Sequence, residues 1–249
     1  LSGGVFNPTT YTNISPRFDF QLGSRNTLTL RYQFERFSQS GSIGSLATPD
    51  TSSSSSSIEH TIQASDSFIV NDRIVNETRF QYLRDVDRAT PVSTAPGVSV
   101  SGAFSSGGSS GQYSNDHQDR LELWNITTMT SGPHALKFGT RMRYNRDANS
   151  TNSGFNGQFT FSSLNSYIAM LNGLAQGQTY AQIAAAGGLP LTLNYSTGNT
   201  RVLASTFDTA LFVQDDWKVN QFFTLSTGLR WESQNHINDH SDWGPRISF

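Results

Sequence analysis

The chain has 249 residues, no cysteine and a net charge of −2, and charged residues make up 14% of it, against about 25% in an average soluble domain. This charge balance argues against a nucleic-acid partner, and the lack of cysteine excludes a disulfide framework and a thiolate metal site. No run approaches the roughly 20 apolar residues of a transmembrane helix, and the first residues lack the basic, apolar and small-residue pattern of a signal peptide.

The N-terminal part of the chain alternates between patterned runs and polar stretches. Residues 1–15 are rich in Gly, Asn, Thr and Pro and predict a loop. Residues 17–22 alternate apolar and polar side chains, which is strand periodicity, and the turn signal at 23–26 leads into a second alternating run at 28–35. Residues 38–57 end in six serines and predict another loop, because such a tract has nothing with which to form a core.

Two further strands meet at a tight turn. The third is predicted at 58–70 and the fourth at 73–88, with the turn at 71–72. The fourth strand alternates cleanly, but the phase that places the apolar residues of the third strand on one face also places His60 and Asp66 there. Either a bulge or a different strand boundary would remove this conflict.

The same arrangement recurs in the middle of the chain. Residues 89–115 are rich in Gly, Ser and Pro and predict a loop. A fifth strand at 118–130 and a sixth at 134–145 follow, and residues 131–133 form the turn between them.

The longest connection runs from residue 147 to about residue 200. Within it, the stretch GQFTF predicts a short hairpin arm. Apolar residues at helical spacing, after a serine start and with a glycine near the end, predict a helix over 163–174 inside this surface loop.

The stretch from Phe207 to Glu232 has the clearest alternation and predicts a β-hairpin around residues 220–222. Each arm has about ten alternating residues, longer than the roughly five or six of soluble sheets and close to the ~9–11 that a tilted strand needs to cross a bilayer. Trp217 and Trp231 lie where membrane barrels carry aromatic girdles. The two arms of this hairpin are therefore predicted to span the bilayer. Residues 245–249 are predicted to begin a ninth strand.

Short and long connections alternate strictly along the predicted strands. The short ones are at 23–26, 71–72, 131–133 and 220–222. Outer-membrane barrels have this asymmetry, with short periplasmic turns and long extracellular loops. The sequence therefore predicts an all-β fold, an antiparallel transmembrane β-barrel segment whose odd-numbered strands run towards the periplasm.

Charged side chains fall on the opposite face of the strands from the apolar ones. A register shift of one residue would turn them towards lipid, at roughly 2–4 kcal/mol for each Arg or Lys near the midplane, so we expect them to face an aqueous lumen. The candidate lumen-facing residues are Arg31, Glu35, Arg79, Lys137, Arg141, Arg143, Asp208, Asp216, Arg230 and Glu232. The candidate girdle residues are Trp217, Trp231, Tyr82 and Tyr144.

Several stretches together resemble the barrel of TonB-dependent outer-membrane receptors, in particular the Oar-like members with a carboxypeptidase-regulatory-like N-terminal domain. They are NTLTLRYQFERF (26–37), VNETRFQYLRD (75–85), HALKFGTRMRYNRD (134–147), GFNGQFTF (154–161), QDDWKV (214–219), FTLSTGLRWE (223–232) and WGPRISF (243–249). The resemblance implies energised uptake of a bulky extracellular ligand across the outer membrane of a Gram-negative bacterium. It also implies a plug inside the barrel and a TonB complex that acts through an N-terminal segment.

The number of predicted strands indicates whether the chain can close a barrel by itself. An open sheet in lipid would leave backbone N–H and C=O groups unpaired at several kcal/mol each, so only a closed barrel can span. The eight strands and the start of a ninth fall short of the barrel of about 22 strands that the resemblance implies. We therefore expect residues 1–249 to be a partial TonB-dependent receptor barrel domain that lacks the signal peptide, the plug and the closing strands.

Two motifs with possible chemistry have ordinary structural readings. Residues 107–111 match G-x-S-x-G, but the nucleophile elbow requires a strand before the motif and a helix after it, and here polar loop residues follow. Asp215 and Asp216 resemble paired carboxylates, but adjacent residues on a strand point to opposite faces. We expect no catalytic residue and no enzymatic activity.

A third cluster lies near the C-terminal end. It consists of His236, Asp239, His240 and Asp242. These residue types can ligate a divalent metal, and they are equally the polar residues that a short loop contains. The loop reading is favoured, no cofactor is expected, and metal binding by these four residues stays open.

Two other classes of function remain open from the sequence. One is a small self-closing outer-membrane barrel that serves as a structural protein or adhesin, in which the chain would complete its own last strand. The other is a secreted soluble β-protein such as a carbohydrate-binding module, whose apolar face would be buried against a second sheet.

Overall fold

The structure is a computed structural model that describes residues 6–109, 111 and 113–249. Its strands and helices follow in chain order as β1 (Thr9–Ile14), β2 (Arg17–Gly23), β3 (Asn26–Ser42), β4 (Ser53–Asn71), β5 (Ile74–Pro91), β6 (Gly97–Val100), β7 (Phe104–Gly107), β8 (Ser114–Ser131), β9 (His134–Thr151), β10 (Gln158–Phe161), α1 (Leu164–Ala175), α2 (Tyr180–Ala185), β11 (Thr192–Asn194), β12 (Arg201–Asn220), β13 (Phe223–Gln234) and β14 (Asp242–Ser248). A 3-10 turn, Pro49–Thr51, precedes β4. None of the helices in this part of the chain is long and apolar enough to cross a membrane.

A large antiparallel sheet forms the body of the molecule. Its strands lie in the order β1 and β2, then β3, β4, β5, β8, β9, β12, β13 and β14. β1 and β2 both pair with β3, and the carbonyl of Pro16 between them accepts the Tyr32 amide N–H at 3.1 Å. The two segments therefore form one interrupted edge strand. The loop predicted at 1–15 is wrong for residues 9–14, and residues 1–5 lie outside the described part of the chain.

The strands extend further at one end than the sequence predicted. β4 begins at Ser53, so the serine tract predicted as a loop is partly strand. Ser56, for example, pairs with Ser38 on β3 and with Arg88 on β5. The prediction failed because it required an apolar face, whereas ladder hydrogen bonds use only backbone groups, and a strand end with polar surroundings on both faces needs no core.

All tight turns lie at one end of the sheet, and all long connections lie at the other. We call these ends the turn rim and the loop rim. The turn-rim links are residues 24–25, 72–73, 132–133 and 221–222, and the loop-rim links are residues 43–52, 92–113, 152–200 and 235–241. Two turns are closed in the same way, since Asn71 Oδ1 accepts the Arg73 amide at 2.9 Å and Asn220 Oδ1 accepts the Phe222 amide at 2.9 Å. The predicted asymmetry of the connections is confirmed.

The two faces of the sheet differ in chemistry. We call the face that carries Phe138, Leu211 and Val213 the outer face and the opposite one the inner face. Val213 pairs with Phe138, and Leu211 lies two residues further along the same face. The side chains of Phe138, Leu211 and Val213 are 43%, 52% and 47% exposed. The second sheet of the molecule does not cover them, so the outer face is free to contact a surrounding solvent.

His60 and Asp66 lie on the outer face, because the pairing of β4 with β3 and β5 runs without a shift between residues 55 and 68. No bulge repairs the conflict that the sequence raised. The ring of His60 packs 5.3 Å from that of Phe34, and its Nδ1 lies 2.8 Å from the hydroxyl of Tyr32. Asp66 is paired with Thr78, inside a small polar patch of the outer face.

That polar patch is satisfied largely by its own side chains. Asn76 and Asn125 exchange amide hydrogen bonds at 3.2 and 3.1 Å. The same amide nitrogens donate to the hydroxyls of Thr127 and Thr78, each at 2.8 Å. Because buried polar groups are costly only when they are unpaired, this exchange allows four polar residues within an apolar face.

The second sheet lies in the long connections. Its strand order is β11-β10-β6-β7, with β6 parallel to β10. The predicted arm in GQFTF is β10, which pairs with β11. The predicted helix is confirmed as α1, whose N-terminus has a capping box between Ser163 and Ser166. The sequence did not predict α2 or the pairing of β6 with β10, which joins two different loops.

Gly139 allows close packing on the inner face. A Cβ atom there would lie 2.2 Å from the Asn125 carbonyl oxygen and 3.1 Å from Cε1 of Phe212. We expect Gly139→Ala to destabilise the folded barrel by about 1–3 kcal/mol through overpacking. The matched control is Gly244→Ala, whose Cβ would meet only the Arg230 carbonyl oxygen at 3.9 Å. Urea midpoints in lipid vesicles measure both, and equal midpoints would contradict the packing role of Gly139.

Candidate functional site

The inner face carries rows of charged side chains in register. Arg143 donates through Nε to Asp208 Oδ2 at 2.9 Å, and Arg141 donates through Nε to Glu122 Oε1 at 2.7 Å. The Arg141 guanidinium also lies 5.5 Å from the ring centroid of Trp124. All of these groups remain partly exposed, so each ion pair is worth at most about 1 kcal/mol. The rows therefore form a hydrated polar surface and not a closed pocket.

The strand register places all ten predicted lumen-facing residues on this one face. They are Arg31, Glu35, Arg79, Lys137, Arg141, Arg143, Asp208, Asp216, Arg230 and Glu232. They do not converge, because they are spread over strands from β3 to β13. Several are paired along their own strand, as in Arg79 with Glu77 at 3.1 Å and Arg230 with Glu232.

The sequence missed an apolar island on the inner face. Trp124, Ile126 and Phe212 line a groove of about 200 Å³ together with Lys137 and Arg230. Phe212 breaks the alternation of its strand, since its neighbours Leu211 and Val213 are also apolar, and that break is the available signal. The groove combines aromatic surface with cationic rims, so it can hold an aromatic or anionic group that passes along this face.

The predicted girdle residues all lie on the outer face. Tyr82 and Tyr144 flank Leu121 in one row of paired residues, and Phe207 continues that row on β12. At the turn rim the Trp217 ring stacks on His134, with centroids 5.5 Å apart. From Phe207 to Trp217 there are eleven residues along β12, which matches the ~9–11 residues of a tilted spanning strand.

Trp231 occupies a different position from the other girdle residues. Its ring lies 6.5 Å from that of Trp243 on β14, and its Nε1–H donates to the His240 carbonyl oxygen at 2.7 Å. It thereby joins the last two strands to the loop between them.

Asp215 and Asp216 lie on opposite faces, as predicted. Asp215 Oδ2 is 2.7 Å from His134 Nδ1 on the outer face. Asp216 is paired with Ser226 on the inner face and accepts a hydrogen bond from Gln214 Nε2 at 3.2 Å. They cannot act as a carboxylate pair.

The remaining candidate residues also have structural partners. Nε2 of His236 lies 2.6 Å from the Ser205 carbonyl oxygen, and Nδ1 of His240 lies 2.7 Å from the Ser233 hydroxyl. Asp239 accepts the Ser241 amide N–H at 2.8 Å. Across the described residues, no three His, Asp or Glu side chains converge on a position where they would hold a metal ion.

The G-x-S-x-G match does not form a nucleophile elbow. Gly107 ends β7, and the next element is β8, so no helix follows the motif. Ser110 lies outside the described residues. A Cβ atom at Gly107 would lie 2.2 Å from the Pro96 carbonyl oxygen, and one at Gly108 would lie 2.1 Å from that of Ala95. These glycines serve close approach of two backbone segments.

Three of the long loops join into one structure at the loop rim, which we call the cap. The amide of Thr48 donates to the Ser105 carbonyl at 2.9 Å, and the amide of Ser105 donates to the Leu46 carbonyl at 2.8 Å. Asp50 Oδ2 accepts the Gly107 amide at 2.8 Å. The Thr48 hydroxyl, with this amide, holds the pKa of Asp50 below its ordinary value, so the carboxylate stays charged and strengthens the link.

The cap has a small core of its own. Val100, Phe161 and Ile183 are 3%, 4% and 0% exposed. Gly173 and Gly188 hold Ile183 closely, because a Cβ atom at either glycine would lie 2.5 or 2.8 Å from its side chain. The cap is therefore a folded unit at the loop rim that has buried side chains of its own.

The sequence matches the family of outer membrane β-barrel domains over residues 4–244. The chain belongs to this family. It therefore resides in the outer membrane. No curated protein matches the chain.

Two solved structures share the fold. The outer membrane transporter YddB from Escherichia coli is 12% identical with a TM-score of 0.63, and the match covers 97% of this chain and 29% of that one. A mutant of the ferric enterobactin receptor PfeA from Pseudomonas aeruginosa is 13% identical with a TM-score of 0.56, covering 97% and 31%. This chain thus spans about a third of the length of these neighbours, and the large sheet is a partial barrel that is not closed.

The assignment of faces can be tested with two adjacent residues. Val213 lies on the outer face and Gln214 on the inner face of β12. We expect Val213→Arg to destabilise folding into bilayers by roughly 2–4 kcal/mol, because a cation enters hydrocarbon. Gln214→Arg, the control, should change the folding free energy little. Vesicle folding titrations measure both, and a larger loss for Gln214→Arg would contradict the assignment.

The core of the cap yields a second prediction for this region. Ile183→Ala should destabilise the cap by about 2–5 kcal/mol, because it leaves a cavity between the two glycines. Limited proteolysis of intact cells should then cleave residues 152–200 faster while the barrel still resists. Leu191→Ala, at a position that is 70% exposed, is the control. Unchanged proteolysis of the Ile183 variant would show that the cap does not depend on this core.

Proposed function

We propose that this chain is part of the barrel of a TonB-dependent receptor of the Oar-like group, which takes up a bulky ligand across the outer membrane with energy from the inner membrane. One observation carries the proposal. The sheet has an exposed apolar outer face, a charged inner face, and edges at β1–β2 and β14 that do not pair with each other.

The unpaired edges support a wide barrel. In hydrocarbon, each unpaired backbone N–H or C=O group costs several kcal/mol. Other strands of the same barrel must therefore pair with these edges in the membrane. The names of the two neighbours, a transporter and a receptor, support the same class of protein.

The polar inner face supports passage of a hydrated ligand. The ten charged residues predicted to face the lumen keep it hydrated, and in a receptor of this group some of them would contact a plug. The cap lies on the extracellular side, because short turns of outer-membrane barrels are periplasmic. It offers a preformed surface on which a ligand can first be held.

The two other classes of function have less support. A self-closing small barrel would pair β1–β2 with β14, and these strands are not paired in the sheet. A soluble binding module would bury the outer face beneath a second layer, and that face is exposed.

The experiment uses the whole receptor from outer membranes. We expect the purified protein to retain the periplasmic domain of TonB in a pull-down assay, through the segment on the N-terminal side of the barrel. A version without that segment is the control and should retain nothing. A whole receptor that does not bind TonB, while it is folded and in the outer membrane, would contradict the proposed class.

A further inference from the structure

We propose that the outer face binds phosphate-bearing anionic lipid headgroups through arginines that lie beyond Tyr82 and Tyr144, on the side of the loop rim. These residues are Arg36, Arg84, Arg88, Arg146 and Arg201, which we call the arginine band. All five are exposed. The inference requires only that the chain is an outer-membrane barrel, and it stands apart from the identity of any transported ligand.

The register fixes where the arginine band begins. The row that contains Tyr82, Leu121 and Tyr144 is the tyrosine row of the outer face, and the apolar residues Ile58, Val86 and Leu203 lie beyond it, in one row with Arg36. The next row from the tyrosines towards the loop rim contains Arg84 and Arg146. Successive rows on one face are about 6.8 Å apart along a strand. Cationic groups therefore stand about 7 Å beyond a tyrosine row, which is where headgroups begin beyond the aromatic belt of a membrane protein.

The two faces have opposite charge in this region. Beyond the tyrosine row, the outer face carries the five arginines and one carboxylate, Asp119. Over the same stretch the inner face carries one cation, Arg120, and six carboxylates, which are Glu35, Glu59, Asp85, Asp87, Asp116 and Asp147. Two faces that met the same aqueous solvent would have no reason to separate the signs. The separation indicates that the outer face meets an anionic surface.

The arginine side chains have hydrogen-bond donors to spare. Of the five, Arg146 alone forms an ion pair among the described residues, at 3.6 Å from Asp119, and Asp119 is shared with the Tyr82 hydroxyl at 2.7 Å. Arg88 uses Nε to donate to Asn115 at 3.1 Å. Each guanidinium has five N–H donors in a planar fork that fits phosphate oxygens, so most donors remain for a ligand.

The spacing fits more than one phosphate. Arg84 and Arg146 lie two strands apart, about 10 Å at the ~4.8 Å separation of strands, and Arg84 and Arg88 are about 13 Å apart along β5. These are separations of backbone positions, and the five arginines are spread over several of them. The band can therefore contact several phosphorylated headgroups, or one headgroup with several phosphates, at the same time.

The test compares the whole receptor in nanodiscs of phosphatidylcholine with and without phosphatidylglycerol. We expect phosphatidylglycerol to raise the temperature at which the barrel unfolds, measured by its heat-dependent gel mobility. In the triple variant that combines Arg36→Gln, Arg84→Gln and Arg88→Gln, the rise in unfolding temperature should be at most half of the wild-type rise. The control variant Arg31→Gln, Arg79→Gln and Arg120→Gln removes the same charge from the inner face and should keep the full rise.

Other outcomes decide against the proposal. A full rise of the unfolding temperature in the outer-face variant would overturn the proposal, and so would an equal loss of that rise in the control variant. A wild-type receptor that is equally stable in both lipids would also overturn it. That result would assign the arginines to another partner, such as an acidic protein. Inorganic phosphate should not reproduce the rise, and a rise of the same size would assign the band to free phosphate.

If the triple variant fails to reach the membrane, native mass spectrometry of Arg84→Gln and Arg88→Gln replaces it. Unchanged counts of retained phosphatidylglycerol in both single variants would then overturn the proposal.

Discussion

The structure depends on one constraint, which is that each long strand must present its two faces to two different solvents without a break in register. Alternate side chains point to opposite faces, so a single slip would exchange hydrocarbon-facing and water-facing residues along a whole strand. Pairing from β3 to β13 keeps Leu211 and Phe138 on one face and Asp208 and Arg143 on the other. The face on which each charged residue of β3 to β13 lies follows from that register.

Much of the barrel wall could be predicted from the sequence, because lipid on one face and water on the other impose a two-residue period. The hairpin around residues 220–222 shows this most clearly. The predictions failed where the period carries no information. In the serine tract both faces are polar, and residues 9–14 are separated from the rest of the edge strand by the break at Ser15 and Pro16. These segments are held by backbone hydrogen bonds, which leave no pattern of side chains.

The functional surfaces were predicted to different extents. Alternation assigned all ten charged candidates to one face, but it missed Trp124 and Phe212, because apolar residues on a water-filled side contradict the simple pattern. The cap was beyond prediction for another reason. Its parallel pairing of β6 with β10 joins residues about 60 positions apart, and such contacts depend on the barrel strands that bring the loops together. His60 and Asp66 were correctly identified as a conflict, and the structure resolves it with local polar partners and without a bulge.

The most direct test of the assignment of the two faces is a site-directed spin-label scan of β12 with nitroxides. Single cysteines at residues 209–216 of the whole outer-membrane protein in bilayers would carry the label, and residues 1–249 have no native cysteine to remove. We expect labels at Leu211 and Val213 to collide mainly with dissolved oxygen, which concentrates in lipid, and labels at Phe212 and Gln214 to collide mainly with a water-soluble nickel complex. Uniform accessibility along the strand, or the opposite alternation, would contradict the claim that the outer face meets hydrocarbon and the inner face meets water.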